Sequence, residues 1–367
     1  MSDSMSKNDI KMIVIVCFAC LLAISPSAVL SSVPTDSLNH IQMVDVTFEN
    51  RHGTTITGRI CWPAMDGKYP AIVISGGWCG CLSQYSNQPE MLARNGYVAL
   101  LIQPTNQTDA VLSMVYGLTR WTDDLYDAIS YLVERSPVND RVDTQRIGTM
   151  GHSLGGITVT REATIDPRVK VVIALSDTDL SALPDLNIPL QIQTGDFDML
   201  VNDNFEAYPS YVAAKPPKQI ITIAGATHNG FTELLDAFYP KPEWQRAVFE
   251  HYAIAWFDYW LKGDETAYGR LTMGLDGLSP IGVSAYDLGD GEHLMAGGKT
   301  FFEAKNVVTC MKMLPDTLKP ISRMLSDPII GAPDILKICP ALLAGGSSLI
   351  SDLVRSLPPA ILKLCRY

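Results

Sequence analysis

Two hydrophobic rhythms run along most of the chain. Residues 40–50 alternate apolar and polar positions, and residues 54–62 do so again after His52-Gly53. A period of two with one apolar face marks a half-buried strand, so the pair predicts an antiparallel hairpin at one edge of a sheet. Residues 69–75, 97–102, 146–150, 169–175, 188–194 and 219–224 are instead apolar throughout. Runs of that length fit parallel strands covered by helices on both faces. Between them the period lengthens: Leu125, Ala128, Ile129, Leu132 and Val133 form one helical stripe, with Thr122 placed to cap it and Asp123 and Asp124 near its positive end. Residues 244–261 repeat the stripe with aromatic side chains and stop at Gly263. The alternation predicts an α/β fold with a mostly parallel central sheet flanked by helices.

The pattern changes after Asp264. Residues 335–343 and 349–364 are apolar at near-helical spacing, but Pro340, Pro358 and Pro359 cut them into pieces too short to be stable alone. The expected organisation is therefore a domain over residues 40–264 and a C-terminal appendage of short helices over 265–367. Only a short link separates residue 175 from residue 188, which leaves no room for a large cap domain and predicts an open site.

Composition adds a compartment and removes some partners. Lys7 and Lys11 precede an apolar stretch over residues 12–24 and a run of small residues to Ser32. This is the order of a secretory signal, expected over residues 1–32, with an uncleaved membrane anchor as the alternative. Once it is removed, Cys61, Cys79, Cys81, Cys310, Cys339 and Cys365 remain, an even set that in an exported chain predicts disulfides and leaves the pairing open. No Cys-x-x-Cys pair and no histidine at ligand spacing survive, so no metal is expected. A net charge of -11 offers no basic face for a phosphate backbone and argues against a nucleic-acid partner.

The chemistry centres on Gly151-His152-Ser153-Leu154-Gly155-Gly156, between an apolar run and a helical segment. A G-x-S-x-G turn from strand to helix holds its serine in strained geometry with the hydroxyl exposed above the sheet. A serine hydroxyl needs a histidine to take its proton and a carboxylate to orient that histidine. Downstream, Asp198 follows the 188–194 strand and His228 follows the 219–224 strand. Strand ends on one side of a parallel sheet converge, so Ser153, Asp198 and His228 are the candidate triad. Asp196, Asp177 and Asp179 are the competing acids, and His152 is expected to pack behind the site.

With Ser75-Gly76-Gly77-Trp78, Leu101 to Asn106, Gly195-x-x-Asp198, Ala226-Thr227-His228 and Tyr259 to Asp264 added, residues 42–264 resemble the dienelactone-hydrolase-like branch of the α/β-hydrolases. The likeness is strongest to its serine members, the cutinase-like polyesterases and platelet-activating-factor acetylhydrolase relatives. It implies the α/β-hydrolase fold, an oxyanion hole from the backbone N–H groups of Trp78 and Leu154, and an acyl pocket lined by Trp78, Leu154 and Leu200. Two features depart from the pattern. Dienelactone hydrolases proper carry a cysteine at the elbow, where this chain has Ser153, and polyesterases typically carry Pro-Trp where it reads Ser176-Asp177-Thr178-Asp179.

The expectation is a secreted serine carboxylic-ester hydrolase of the EC 3.1.1 class, working without a cofactor on a small or polymeric ester. Membrane contact is allowed but not required, and the oligomeric state is open. The alternatives are a lipase or cutinase-like polyesterase, or, in another class, a non-enzymatic binding or surface-anchoring protein on a hydrolase scaffold.

Overall fold

The computed structural model describes residues 41–78, 80–105, 118–198, 200–201, 206–233, 243–272 and 281–295. The expected signal segment, residues 296–367 of the expected appendage, and Cys79, Cys310, Cys339 and Cys365 lie outside the described residues. The strands are β1 (Ile41–Glu49), β2 (Thr55–Pro63), β3 (Tyr69–Ser75), β4 (Val98–Gln103), β5 (Val142–His152), β6 (Val169–Leu175), β7 (Leu190–Gly195), β8 (Lys218–Ile223), β9 (Ile281–Asp287) and β10 (His293–Met295). The helices are α1 (Asn87–Arg94), α2 (Leu118–Glu134), α3 (Leu154–Glu162), α4 (Ala207–Ala213), α5 (Glu243–Phe257) and α6 (Ala267–Thr272).

The strands form one sheet in the order β1-β2-β4-β3-β5-β6-β7-β8-β9-β10. β1 and β2 make the expected antiparallel hairpin, and β2 pairs antiparallel with β4. From β4 to β8 all neighbours are parallel. Side chains alternate across that parallel centre. In β3, Ala71 and Val73 join a core layer with Leu125, Ile129 and Leu132 of α2, while Ile72 and Ile74 join an opposite layer with Tyr252, Trp256 and Phe257 of α5. Helices on both faces explain why these strands read as unbroken apolar runs.

β7 is the exception. Gln191 and Gln193 are fully buried in it; Gln193 donates to the Gln191 amide oxygen and to the Phe249 backbone oxygen, and Gln191 donates to Gln219 of β8 and to the Tyr252 backbone oxygen. Buried amides survive there because they hydrogen bond to the helix above.

Three expectations change. The sheet does not end near Asp264: β9 runs antiparallel to β8, pairing Lys218 with Asp287 and Ile220 with Ala285, and β10 follows it. The strands β9 and β10, placed in the expected appendage, therefore belong to the sheet. Thr122 is no cap, because α2 begins at Leu118 and Thr122 is buried inside it. The helix is tied to the sheet instead by Trp121 Nε1, which donates to the Thr105 oxygen at 2.7 Å just after β4, and by Asp124, which accepts from Asn50 and Thr105. Cys61 and Cys81 are free thiols. Cys61 faces a small apolar cluster with Ile41 and Ala93, and burial pushes its pKa to about 12. Neither thiol takes part in the disulfides expected of the even cysteine set.

The stop at Gly263 is as read: α5 ends in a wide turn, Asp258–Lys262, and Gly263 takes φ 68°. Asp258 anchors that end through Tyr97, Lys262 and Arg270, each at 2.7 Å. Among the described residues no helix is long and apolar enough to cross a membrane.

α3 buries an acid, Glu162, whose pKa is raised well above the ordinary 4.5 by burial and then by the charge of Asp166. A folded-state pKa above the unfolded one gives stability that is full below the unfolded value and is lost as pH rises through the folded one. The melting temperature of Glu162→Gln is therefore expected to rise relative to the parent as pH climbs above the ordinary glutamate range. Calorimetry at matched ionic strength checks this. A difference that shrinks with pH would mean that Glu162 is ionised and held by Arg168.

Candidate active site

Register brings the ends of five strands together. Ser75 pairs with Gly151, His152 with Leu175, Leu175 with Gln193, and Gly195 with Ile223. The segments leaving these strands carry Trp78, Ser153, Asp177, Asp198 and His228, so the topology gathers at one rim the residues that the sequence spreads over the chain.

Ser153 stands at the turn from β5 into α3 with φ 56° and ψ -125°. A non-glycine residue in that region is strained, and such strain is characteristic of the serine elbow. The surrounding glycines make the turn possible. A Cβ at Gly151 would strike the Gly155 carbonyl, one at Gly155 the Ser75 carbonyl, and one at Gly156 the Asp177 carbonyl. The Ser153 N–H is held by the Leu175 oxygen at 2.9 Å. Leu154 opens α3, where the first N–H groups lack intrahelical acceptors and carry the positive end of the helix dipole.

The loop after β3 lies against this elbow. A Cβ at Gly77 would sit 3.1 Å from the Ser153 Cβ and 3.1 Å from the His152 oxygen, so a side chain there would push the loop or the elbow back by a few tenths of an ångström. Gly80 N–H donates to the Gly77 oxygen at 3.0 Å. That oxygen shares a peptide plane with the Trp78 N–H, which is thereby aimed the opposite way.

His228 begins a short turn, His228–Phe231, after β8. Its Nδ1 lies 2.7 Å from Asp198 Oδ2, and both side chains are buried. Asp198 Oδ1 accepts from the N–H groups of Leu200 at 2.9 Å and Val201 at 2.8 Å. Both carboxylate oxygens are thus assigned, and an acceptor-only carboxylate requires the proton on His228 Nδ1, leaving Nε2 with its lone pair. The His228 turn is itself clamped by side-chain amides. Gln245 accepts from Thr227 N–H and donates to the Thr227 oxygen, and Gln88 donates to the Phe231 oxygen. A side chain at Gly230 would collide with Gln245.

The competing acids are engaged elsewhere. Asp196 accepts from Gly225 N–H, and Asp179 binds Arg161 at 2.6 Å and Ser181. Asp177 accepts from Thr178 N–H, and its pKa is raised well above the ordinary range by burial and then by the charge of Glu206. Its neighbour Ser176 has φ 70°, and with Ser153 it forms the pair of non-glycine residues at positive φ among those described.

Trp78 is 40% exposed, Phe197 42% and Leu200 71%. Leu200 thus enters the site firmly through its N–H on Asp198, while its side chain lies at the surface. Sequence reading left out Phe197, Gln88, Gln245 and Tyr85. Nothing in their local pattern separates them from core or surface positions, and Gln88, Gln245 and Tyr85 act through partners far away in the chain. Among the described residues no group of three or more histidine, cysteine or acidic side chains is arranged to hold a metal ion.

Comparison with known proteins agrees with this architecture. The chain is 27% identical over 208 residues to cutinase est1 of Thermobifida alba, covering 56% of this chain and 66% of that protein. It is 27% identical over 214 residues to the bis(hydroxyethyl) terephthalate hydrolase of Streptomyces coelicolor, covering 58% and 64%. To a cutinase of Thermobifida fusca it is 26% identical over 212 residues, covering 56% and 64%. The chain thus spans a little under two thirds of the length of these curated relatives. A family model described as PETase, PET hydrolase-like, matches residues 34–278, well over half of the chain. The serine elbow, the sheet order and this match together make the protein a member of the PET hydrolase-like family, within the α/β-hydrolase superfamily.

Proposed function

We propose that the protein is a serine carboxylic-ester hydrolase, exported from the cell, that works through an acyl-enzyme without a cofactor. The contact between His228 Nδ1 and Asp198 Oδ2, beside a serine in strained elbow geometry, carries this reading. His228 Nε2 takes the Ser153 proton as Oγ attacks the ester carbonyl. The tetrahedral oxyanion is held by the N–H groups of Trp78 and Leu154. The proton passes to the leaving alcohol, and water then repeats the sequence on the acyl-enzyme. Trp78, Leu154 and Leu200 border the acyl group.

A second reading, a polyesterase, is favoured by the exposed apolar side chains of Trp78, Phe197 and Leu200, which suit a flat apolar substrate. The cutinases and the bis(hydroxyethyl) terephthalate hydrolase among the relatives support it. Against it stands the acidic Ser176-Asp177-Thr178-Asp179 segment, which offers no ring clamp.

A series of p-nitrophenyl esters from acetate to palmitate on purified protein, run beside bis(hydroxyethyl) terephthalate, tests both. Turnover of short esters with little of the terephthalate supports the first reading, and the reverse supports the second. Labelling of Ser153 by a fluorophosphonate without hydrolysis of any ester would replace the ester with an amide or thioester. Absence of labelling would leave a binding protein on a hydrolase scaffold.

A further inference from the structure

Tyr85 and His152 lie buried behind the site, and the proposed mechanism uses neither. His152 Nε2 is 3.0 Å from the backbone oxygen of His228, and His152 Nδ1 is 2.9 Å from the Tyr85 hydroxyl. The same hydroxyl is 2.8 Å from the N–H of Gly77. We propose that Tyr85 and His152 are positioning residues that fasten the oxyanion loop and the catalytic histidine to each other through one directed chain of hydrogen bonds. The inference rests on the ester-hydrolase reading.

The directions follow from the atoms. A carbonyl oxygen only accepts, so His152 Nε2 carries a proton and donates it to His228. Burial, and then the charge that His228 would present, hold His152 well below the ordinary histidine pKa. Its ring is therefore neutral and Nδ1 keeps a lone pair. Tyr85 O–H donates to that lone pair, and its oxygen accepts from Gly77 N–H. Each group then has one role, and the chain runs from Gly77 through Tyr85 and His152 to His228 with no spare proton.

What the chain connects gives it meaning. Gly77 immediately precedes Trp78, whose N–H is assigned to the oxyanion in the proposed mechanism, and the far end is the backbone of the proposed proton acceptor. The His152 and His228 rings also touch, with centroids 4.6 Å apart. A neutral His152 adds no repulsion when His228 takes up its proton. Two further bonds tie the same segments: Gln84 oxygen accepts from Glu233 N–H at 2.7 Å, and Gln88 donates to the Phe231 oxygen. Those bonds hold the segments together, whereas the Tyr85–His152 pair ends on the residue before Trp78 and on the backbone of His228 itself.

Three variants separate positioning from packing. Tyr85→Phe removes the hydroxyl and keeps the ring. In His152→Asn the amide oxygen can replace Nδ1 while the donor to His228 is lost, and in His152→Gln the amide nitrogen can replace Nε2 while the acceptor for Tyr85 is lost. Each is measured for kcat and KM on p-nitrophenyl acetate, for the rate of Ser153 labelling by a fluorophosphonate, and for melting temperature, with rates taken well below melting. A small misplacement of reacting groups costs up to about a hundredfold, so Tyr85→Phe is expected to lower kcat and labelling together by roughly tenfold to a hundredfold. KM should stay within about twofold, because the substrate is still bound. A Tyr85→Phe variant with more than half the parental labelling rate would overturn the proposal, whatever its melting temperature. So would a loss confined to KM. If the parent protein is labelled but cleaves no ester, the ester reading fails while the labelling rates still decide the role of the pair. A parent that is not labelled overturns both.

Discussion

Ser153→Ala is expected to lower kcat for ester hydrolysis by roughly 10⁴ to 10⁶, since without the hydroxyl only binding and the oxyanion hole remain. The backbone argument makes this a clean test. Alanine keeps the Cβ that makes φ 56° costly, so the strained turn and its contacts with Gly151, Gly155 and Gly156 are retained. The melting temperature should therefore stay near that of the parent, and the loss can be read as chemistry. Initial rates on p-nitrophenyl acetate, with fluorophosphonate labelling as a second readout, check it. Residual activity above a tenth of the parent would remove Ser153 from the mechanism.

The parallel centre of the sheet was legible because its strands are buried on both faces and leave continuous apolar runs. Where burial is one-sided the signal weakens. β5 begins at Val142, ahead of the run that marks it, because Asp143, Thr144 and Gln145 lie on its more open end. β9 was missed for a different reason, since Ala285 and Tyr286 are buried in opposite core layers. As a late antiparallel addition it reads Ile-Gly-Val-Ser-Ala-Tyr-Asp, with Gly282, Ser284 and Asp287 breaking the apolar pattern. The start of α2 was misplaced because Thr122 suits a cap by local chemistry, whereas tertiary contacts of Trp121 and Asp124 set where the helix sits.

The site divides in a similar way. Chain order and strand ends brought Ser153, Asp198 and His228 forward, because each stands where a parallel strand stops. The supporting bonds left no such trace. Tyr85 and His152 meet across 67 residues, and Gln88 reaches Phe231 across 143. Cys61 and Cys81 misled in the other direction, since an even cysteine count suggests pairing while both of these thiols are free.

Asp198→Asn is expected to lower kcat on the order of 10⁴, and Asp196→Asn only a few-fold. The difference follows from how each carboxylate is held. Asp198 Oδ1 accepts from two backbone N–H groups, those of Leu200 and Val201. An asparagine there must keep its oxygen on those donors, which turns its NH₂ toward His228 Nδ1. That nitrogen must then accept, its proton moves to Nε2, and the lone pair needed for the Ser153 proton is gone. Asparagine is nearly the same size, so the fold and KM should change little while kcat falls. Asp196 holds only the N–H of Gly225, on the other side of the same turn, and an asparagine oxygen can do the same. Steady-state rates of the two variants on one ester at one pH give the ranking. If Asp196→Asn were the more damaging, the acid that orients His228 would have to be Asp196, with the 2.7 Å contact to Asp198 replaced in the working enzyme.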